Sequence, residues 1–291
     1  MSPVKQIPIG SIATRAMLVD LDVSFWEGFR RDKKISGEVA DKYRTEGNYN
    51  KRLVPKEHLK DLTTALHTVV KIHKQMTLPW ANSGARIISS ELVLKYRDAM
   101  QKAIQAFDSA KTEFVQRYSW IMDDKAVTDL SFDAEEWPEN IASKYGIAIC
   151  YFPVPQGSDL RIDLSKDALT VIQKSINTDQ QSRVENAVLD IANRVRQMVG
   201  RMVERLNEYK PPKNGGKAEG TFRDSLVSNI AELADLLPGL NITGDPKIDA
   251  MAAELKALAT VKPDVLRDDE KQRLKTAKQA KEILDRVSDF I

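Results

Sequence analysis

The chain of 291 residues holds one cysteine, three histidines and only 7% aromatics, and nowhere do eighteen apolar residues run together. Each scarcity excludes something. A lone Cys150 forms no internal disulfide and suits a reducing compartment. Its place in the apolar run Gly146 to Phe152, with no His or Lys beside it, argues for an inert core thiol. The missing apolar run excludes a membrane-spanning helix. The amino terminus carries no apolar stretch of the kind a secretion signal uses, so an unsecreted, cytoplasmic protein is expected. Against 44 basic residues stand 42 acidic ones, a net charge of +2 that advertises neither nucleic acid nor anionic membrane as a whole-molecule partner.

Three histidines build no metal site here. His58, His67 and His73 fall on one predicted helix, but no pair is three or four apart, so no two share a face. Nucleophilic triads are equally unsupported. Paired acids at Asp20 and Asp22, Asp123-Asp124, Glu135-Glu136 and Asp268 to Glu270 read as solvated edges and helix-terminal charges. The run Asn214-Gly215-Gly216-Lys217 lacks Walker spacing: a helix precedes it and Ala218 follows the lysine, so it reads as a linker. No catalytic residue, cofactor or metal is expected, and the protein reads as no enzyme.

What the sequence has is charge, 30% of residues, and long amphipathic segments. From Ser165 to Tyr209 the residues Val184, Val188, Ile191, Val195, Met198, Met202, Leu206 and Tyr209 recur at steps of three and four, a heptad seam on one helix face. Ser165 supplies an N-cap, and Pro211-Pro212 forbids continuation. Such a helix spans roughly 65 Å. Pro55 opens an earlier helix ending near Leu78, and the stretch from Glu91 to Met122 carries another stripe at the same steps. Residues 16 to 26 alternate as a half-buried strand. A short strand is read at Ile35 to Val39, then a polar loop, Lys42 to Asn50. The runs Gly146 to Phe152 and Leu160 to Leu164 read as a β-hairpin, which the first strand could join. Helices are expected at Thr221 to Leu237, Pro246 to Thr260 and Asp264 to Phe290.

The expected fold class is mainly α (α+β): an elongated bundle of long antiparallel helices with a small antiparallel hairpin or sheet at one end. Its segments are an arm and strand region at 1–54, a long-helix bundle at 55–210 with the hairpin near 146–164, a linker at 211–220 and carboxy-terminal helices at 221–291.

Two basic groups are candidate contacts for nucleic acid or a partner. Arg30, Arg31, Lys33 and Lys34 follow Phe25 and Trp26, the mixture of phosphate contact and base stacking that single-stranded sites use. Arg194, Arg201 and Arg205 line a helix face beside the seam. The plain alternative pairs these cations with Asp190, Glu204, Glu208 or another subunit, and the near-neutral charge favours it.

The run from Arg15 to Ser36 (RAMLVDLDVSFWEGFRRDKKIS), with NYNKRLVP at 48–55 and TLPW at 77–80, resembles a helical family of bacteriophage and mobile-element proteins encoded near MoxR/CobS-like AAA+ ATPases. The resemblance is concentrated in the first 120 or so residues and carries no catalytic residues. It implies a bacterial host cell, phage or mobile-element context, and a AAA+ ATPase as a partner. The order of long helix, short hairpin and long helix is also similar to α-helical pore-forming toxins, but Asp159, Arg161 and Asp163 break any apolar tongue. Three functions follow as expectations: a non-enzymatic homo-oligomer forming rings or filaments through uncovered seams, a single-stranded DNA- or RNA-binding protein, and an ATPase adaptor.

Overall fold

In a computed structural model, residues 12–81, 84–129, 132–160, 163, 165–212 and 218–288 are described. Their order is β1 (Ala16–Phe25), β2 (Phe29–Asp32), α1 (Lys33–Tyr43), β3 (Tyr49–Arg52), α2 (Lys56–Met76), β4 (Leu78–Pro79), β5 (Arg86–Ser89), α3 (Val93–Thr128), β6 (Tyr145–Pro153), α4 (Lys166–Glu208), α5 (Ser225–Leu240), α6 (Pro246–Leu258), α7 (Pro263–Asp268) and α8 (Glu270–Ser288). The protein is mainly α. Its strands form a four-stranded sheet in the order β4-β5-β1-β6 and a two-stranded sheet of β2 and β3. No described helix is long and apolar enough to cross a membrane.

Spatial contact divides the chain into two units that alternate along the sequence. Unit 1 comprises residues 1–20, 76–94 and 151–291, and unit 2 comprises 21–75 and 95–150.

Unit 1 is built on α4. Ser165 caps it as expected, its hydroxyl accepting from the Ala168 amide at 3.4 Å. Val184, Val188, Ile191, Val195, Met202, Leu206 and Tyr209 are all buried, while Met198 is half-exposed and Val199 takes the inward position. The sequence leaves open whether this seam is covered by its own chain or by a neighbour, and the cover is the chain's own. α5 and α8 fold back onto α4 within the same chain, and Gly200 lets the Leu284 methyl approach to 4.0 Å of where a Cβ would stand.

Other departures have local causes. α5 runs through Pro238 rather than stopping there; the proline forfeits the amide hydrogen bond to the Ala234 carbonyl, and the last turn is held from outside. The Ser89 hydroxyl donates to the Gly239 carbonyl, and a Cβ on Gly239 would meet Leu92 Cγ at 2.5 Å. The expected last helix is two helices: Asp269 is extended and its carboxylate accepts from the Gln272 amide at 3.0 Å, capping α8.

β6 pairs in the sheet beside β1. Arg161, Ile162 and Leu164, in the expected second arm of the hairpin, lie outside the described residues, and Gly157–Asp159 is a single 3-10 turn. The core placement of Cys150 is corrected: it is exposed. Tyr145 is buried and Ile147 and Ile149 half-buried, so the two-residue period of the strand puts Ala148 and Cys150 on the opposite face. The linker residues Lys213 to Lys217 also lie outside the described residues, but Lys210 and Glu219, either side of them, exchange backbone hydrogen bonds of 3.0 and 3.1 Å.

Unit 2 has its own core. Leu53, Val54, Leu59, Leu62, Phe107, Phe114, Tyr118, Ile121, Trp137, Ile141 and Tyr145 pack as one cluster between α2, α3 and the segments that follow α3. His73 and Tyr96 share a buried 2.7 Å hydrogen bond, and His58 meets Trp120 edge-on, so two of the three histidines are structural; His67 is exposed. Among the described residues no group of three His, Cys, Asp or Glu side chains could hold a metal ion.

Candidate nucleic-acid interface

One lobe of unit 2, β2-α1-β3, carries eight basic against four acidic residues between Phe29 and Arg52. Its entry is the tight turn at Gly28, whose φ of +74° only glycine adopts without strain. The Gly28 carbonyl accepts from the Leu53 and Val54 amides at 2.8 and 3.2 Å, fastening both ends of the lobe together. β2 and β3 then pair antiparallel, Phe29 opposite Arg52, Arg30 opposite Lys51, Arg31 opposite Asn50 and Asp32 opposite Tyr49.

The expected strand at Ile35 to Val39 is helix instead. Asp32 is the N-cap, its carboxylate accepting from the Ile35 amide at 2.9 Å, and Ile35 and Val39 stand four apart, a helical as much as a strand spacing. Buried Ser36 joins helix to strand: its hydroxyl donates to the Asp32 carbonyl and accepts from the Tyr49 amide at 2.9 Å. The polar loop read at Lys42 to Asn50 therefore contains the end of α1 and the start of β3. Arg44, at φ +49°, ends the helix.

Period two divides the hairpin into two faces. On one face, buried Lys51 binds the Glu136 carboxylate at 2.8 Å, and Arg30 donates to the Glu135 carbonyl at 3.2 Å. These contacts hold the lobe to the 3-10 turn Ala134–Glu136 and give the acidic pair a structural role. On the other face, the Arg52 guanidinium lies 3.8 Å from the centre of the Phe29 ring. Arg31 shares that face by register and is exposed.

Sequence placed the aromatic part at Phe25 and Trp26, but both are turned into unit 2. Phe25 packs edge-on against Tyr145 with ring centres 5.2 Å apart, and the Trp26 indole donates to the Phe29 carbonyl at 3.0 Å. Both are half-buried against the core cluster. The exposed rings of the lobe are Tyr43 and Tyr49, 65% and 46% accessible, which the sequence reading passed over. Their signal was present: each lies within two residues of a cation in a segment otherwise without large apolar side chains.

The cations divide clearly. Arg31, Lys33, Lys34 and Arg44 are exposed, and among the described residues none has an ion-pair partner, although Glu38 stands one helical turn beyond Lys34. The α4 arginines are mostly engaged. Arg194 donates to the Asp190 carboxylate at 2.7 Å and to the Thr77 carbonyl at 2.7 Å, and Arg205 pairs with Glu208 at 3.3 Å. Arg196 donates to Asn193, and Arg201 is exposed.

No family model, no curated protein and no solved structure matches this chain.

Proposed function

We propose that the protein is a non-enzymatic nucleic-acid-binding protein whose β2-α1-β3 lobe holds the phosphate backbone. The observation that carries this reading is the contrast between two basic groups. On α4, Arg194 and Arg205 are ion-paired within their own unit and Arg201 is exposed, whereas Arg31, Lys33, Lys34 and Arg44 all stand exposed without ion pairs on a lobe with twice as many cations as acids. Four such cations suit a modest, salt-sensitive interaction, each contact removed lowering the dependence of log affinity on log salt by roughly 0.7 to 0.9. The test is fluorescence anisotropy of a labelled mixed-sequence oligonucleotide at low and moderate salt, with the wild type and with a triple Arg31→Ala, Lys33→Ala, Lys34→Ala variant. Binding at low salt that the triple variant loses supports the reading. No binding at low salt ends it.

Self-association is the second reading, on a different surface from the heptad seam. Val171 and Ile172, on the first turns of α4, are 68% and 37% accessible, and Leu169 and Ile176 beside them are half-exposed. A mass in solution that rises with concentration, and falls to that of one chain with Val171→Lys and Ile172→Lys, supports it. A concentration-independent single-chain mass removes it. The mobile-element context and the ATPase-adaptor role rest on the sequence resemblance alone.

A further inference from the structure

The same lobe carries a feature that phosphate binding does not use. On α1, Tyr43 follows Ser36 by seven residues, so it returns to the same helix face two turns, about 10 Å, farther along. That face is the one joined to β3, since the Ser36 hydroxyl accepts from the Tyr49 amide. Tyr49 therefore starts beside Ser36 and Tyr43 stands at the far end of the same face, both rings exposed. Lys42 sits with its ammonium 5.4 Å from the Tyr43 ring centre. Arg44 follows directly, and exposed Arg30 lies on the same hairpin face as Tyr49, diagonal to it across the strand pair. Two spaced rings with cations at both ends suit flat aromatic partners joined by anionic links.

We infer that the lobe selects single-stranded over duplex nucleic acid, with Tyr43 and Tyr49 as stacking platforms for unpaired bases. This deepens the nucleic-acid reading and rests on it. A duplex keeps its base faces inside the stack and offers the rings nothing, whereas any single strand offers a π-face at every base. The lobe is accordingly tolerant of sequence. Each ring contributes about fivefold to a hundredfold in affinity.

The experiment compares labelled oligo-dT with a duplex of equal length, both at low salt, for wild type, Tyr43→Ala, Tyr49→Ala and the two Tyr→Phe variants. The expected result is tighter binding of oligo-dT, at least fivefold weakening by each alanine, and near-wild-type binding by each phenylalanine, which keeps the ring and drops the hydroxyl. A Tyr43→Trp variant adds a readout that does not depend on loss: its additional emission is quenched by oligo-dT. Equal affinity for duplex and single strand, unchanged binding by the alanine variants, or unquenched Tyr43→Trp emission overturns the inference while leaving cation-dependent binding standing. Absence of all binding overturns the function itself.

Discussion

Lys51 is 5% exposed, and its ammonium lies 2.8 Å from the Glu136 carboxylate, which joins the β2-β3 hairpin to the acidic turn that follows α3. A pair this buried is weak as a source of stability but costly to halve, because the remaining charge keeps its desolvation penalty without its partner. Glu136→Ala is expected to destabilise unit 2 by about 3 kcal/mol. A urea titration followed by tryptophan emission measures it. A shift under a third of that would mean water reaches Lys51 freely.

Gly28 sets the orientation of the whole lobe. A Cβ there would stand 3.0 Å from Val54 Cβ and 3.2 Å from Leu59 Cδ1, with φ at +74°. Neither neighbour is the loose end of a long chain, so relief requires the hairpin to move. Gly28→Ala is expected to cost roughly 1–3 kcal/mol and to weaken oligonucleotide binding without touching a cation. Unchanged stability and unchanged binding would show that the turn is not what places the lobe.

The long periodic elements were legible because their signals are local. Alternation from Ala16 to Phe25 gives β1, Ser165 and Pro211 bracket α4, and Asp245-Pro246 opens α6, the Asp245 carboxylate accepting from the Lys247 amide at 2.9 Å. The lobe was not legible. Phe29–Asp32 and Tyr49–Arg52 are mostly polar, and their pairing across an intervening helix leaves no periodic trace. Which partner covers the Val184 to Tyr209 seam was undetermined too, since a heptad face fits α8 of its own chain or a neighbour equally well. For the candidate site, the cations Arg31, Lys33 and Lys34 were found from sequence, but the aromatics were misplaced. Phe25 and Trp26 adjoin the cations in sequence, yet a strand end with large apolar side chains is pulled into the nearest core.

Alkaline pH gives a test of unit 2 alone. Burial raises the Tyr118 phenol from 10.0 to about 12, and burial followed by the nearby Tyr118 raises Tyr145 further. The hydroxyls donate to the Pro138 and Trp26 carbonyls at 3.1 and 2.9 Å. Because the folded state holds these protons more tightly than the unfolded state, their stabilisation is complete below pH 10.0 and falls as pH rises from there toward about 12. Tyr118→Phe should be less stable than wild type at neutral pH, having lost a hydrogen bond, and should show a shallower decline in urea midpoint above pH 10. Parallel declines for the two proteins would place the tyrosine ionisation outside the folding equilibrium.

The two basic groups make opposite predictions, and that opposition tests the site most directly. Arg194 ties α4 to the start of β4 through the Thr77 carbonyl, and its own Asp190 stands one turn away. Arg194→Ala leaves those partners in poorer company and is expected to cost about 1–3 kcal/mol in the stability of unit 1, with oligonucleotide affinity and its salt slope unchanged. Lys33→Ala with Lys34→Ala is expected to do the reverse: the side chains are exposed and unpaired, so stability moves by under about 0.5 kcal/mol. The salt slope of single-strand binding should drop by roughly 1.4 for the two lost contacts. Anisotropy titrations across a salt series, beside urea melts of the same preparations, separate the two effects. Equal loss of affinity from both variants would mean that the charge of the whole chain, rather than the β2-α1-β3 lobe, draws the nucleic acid.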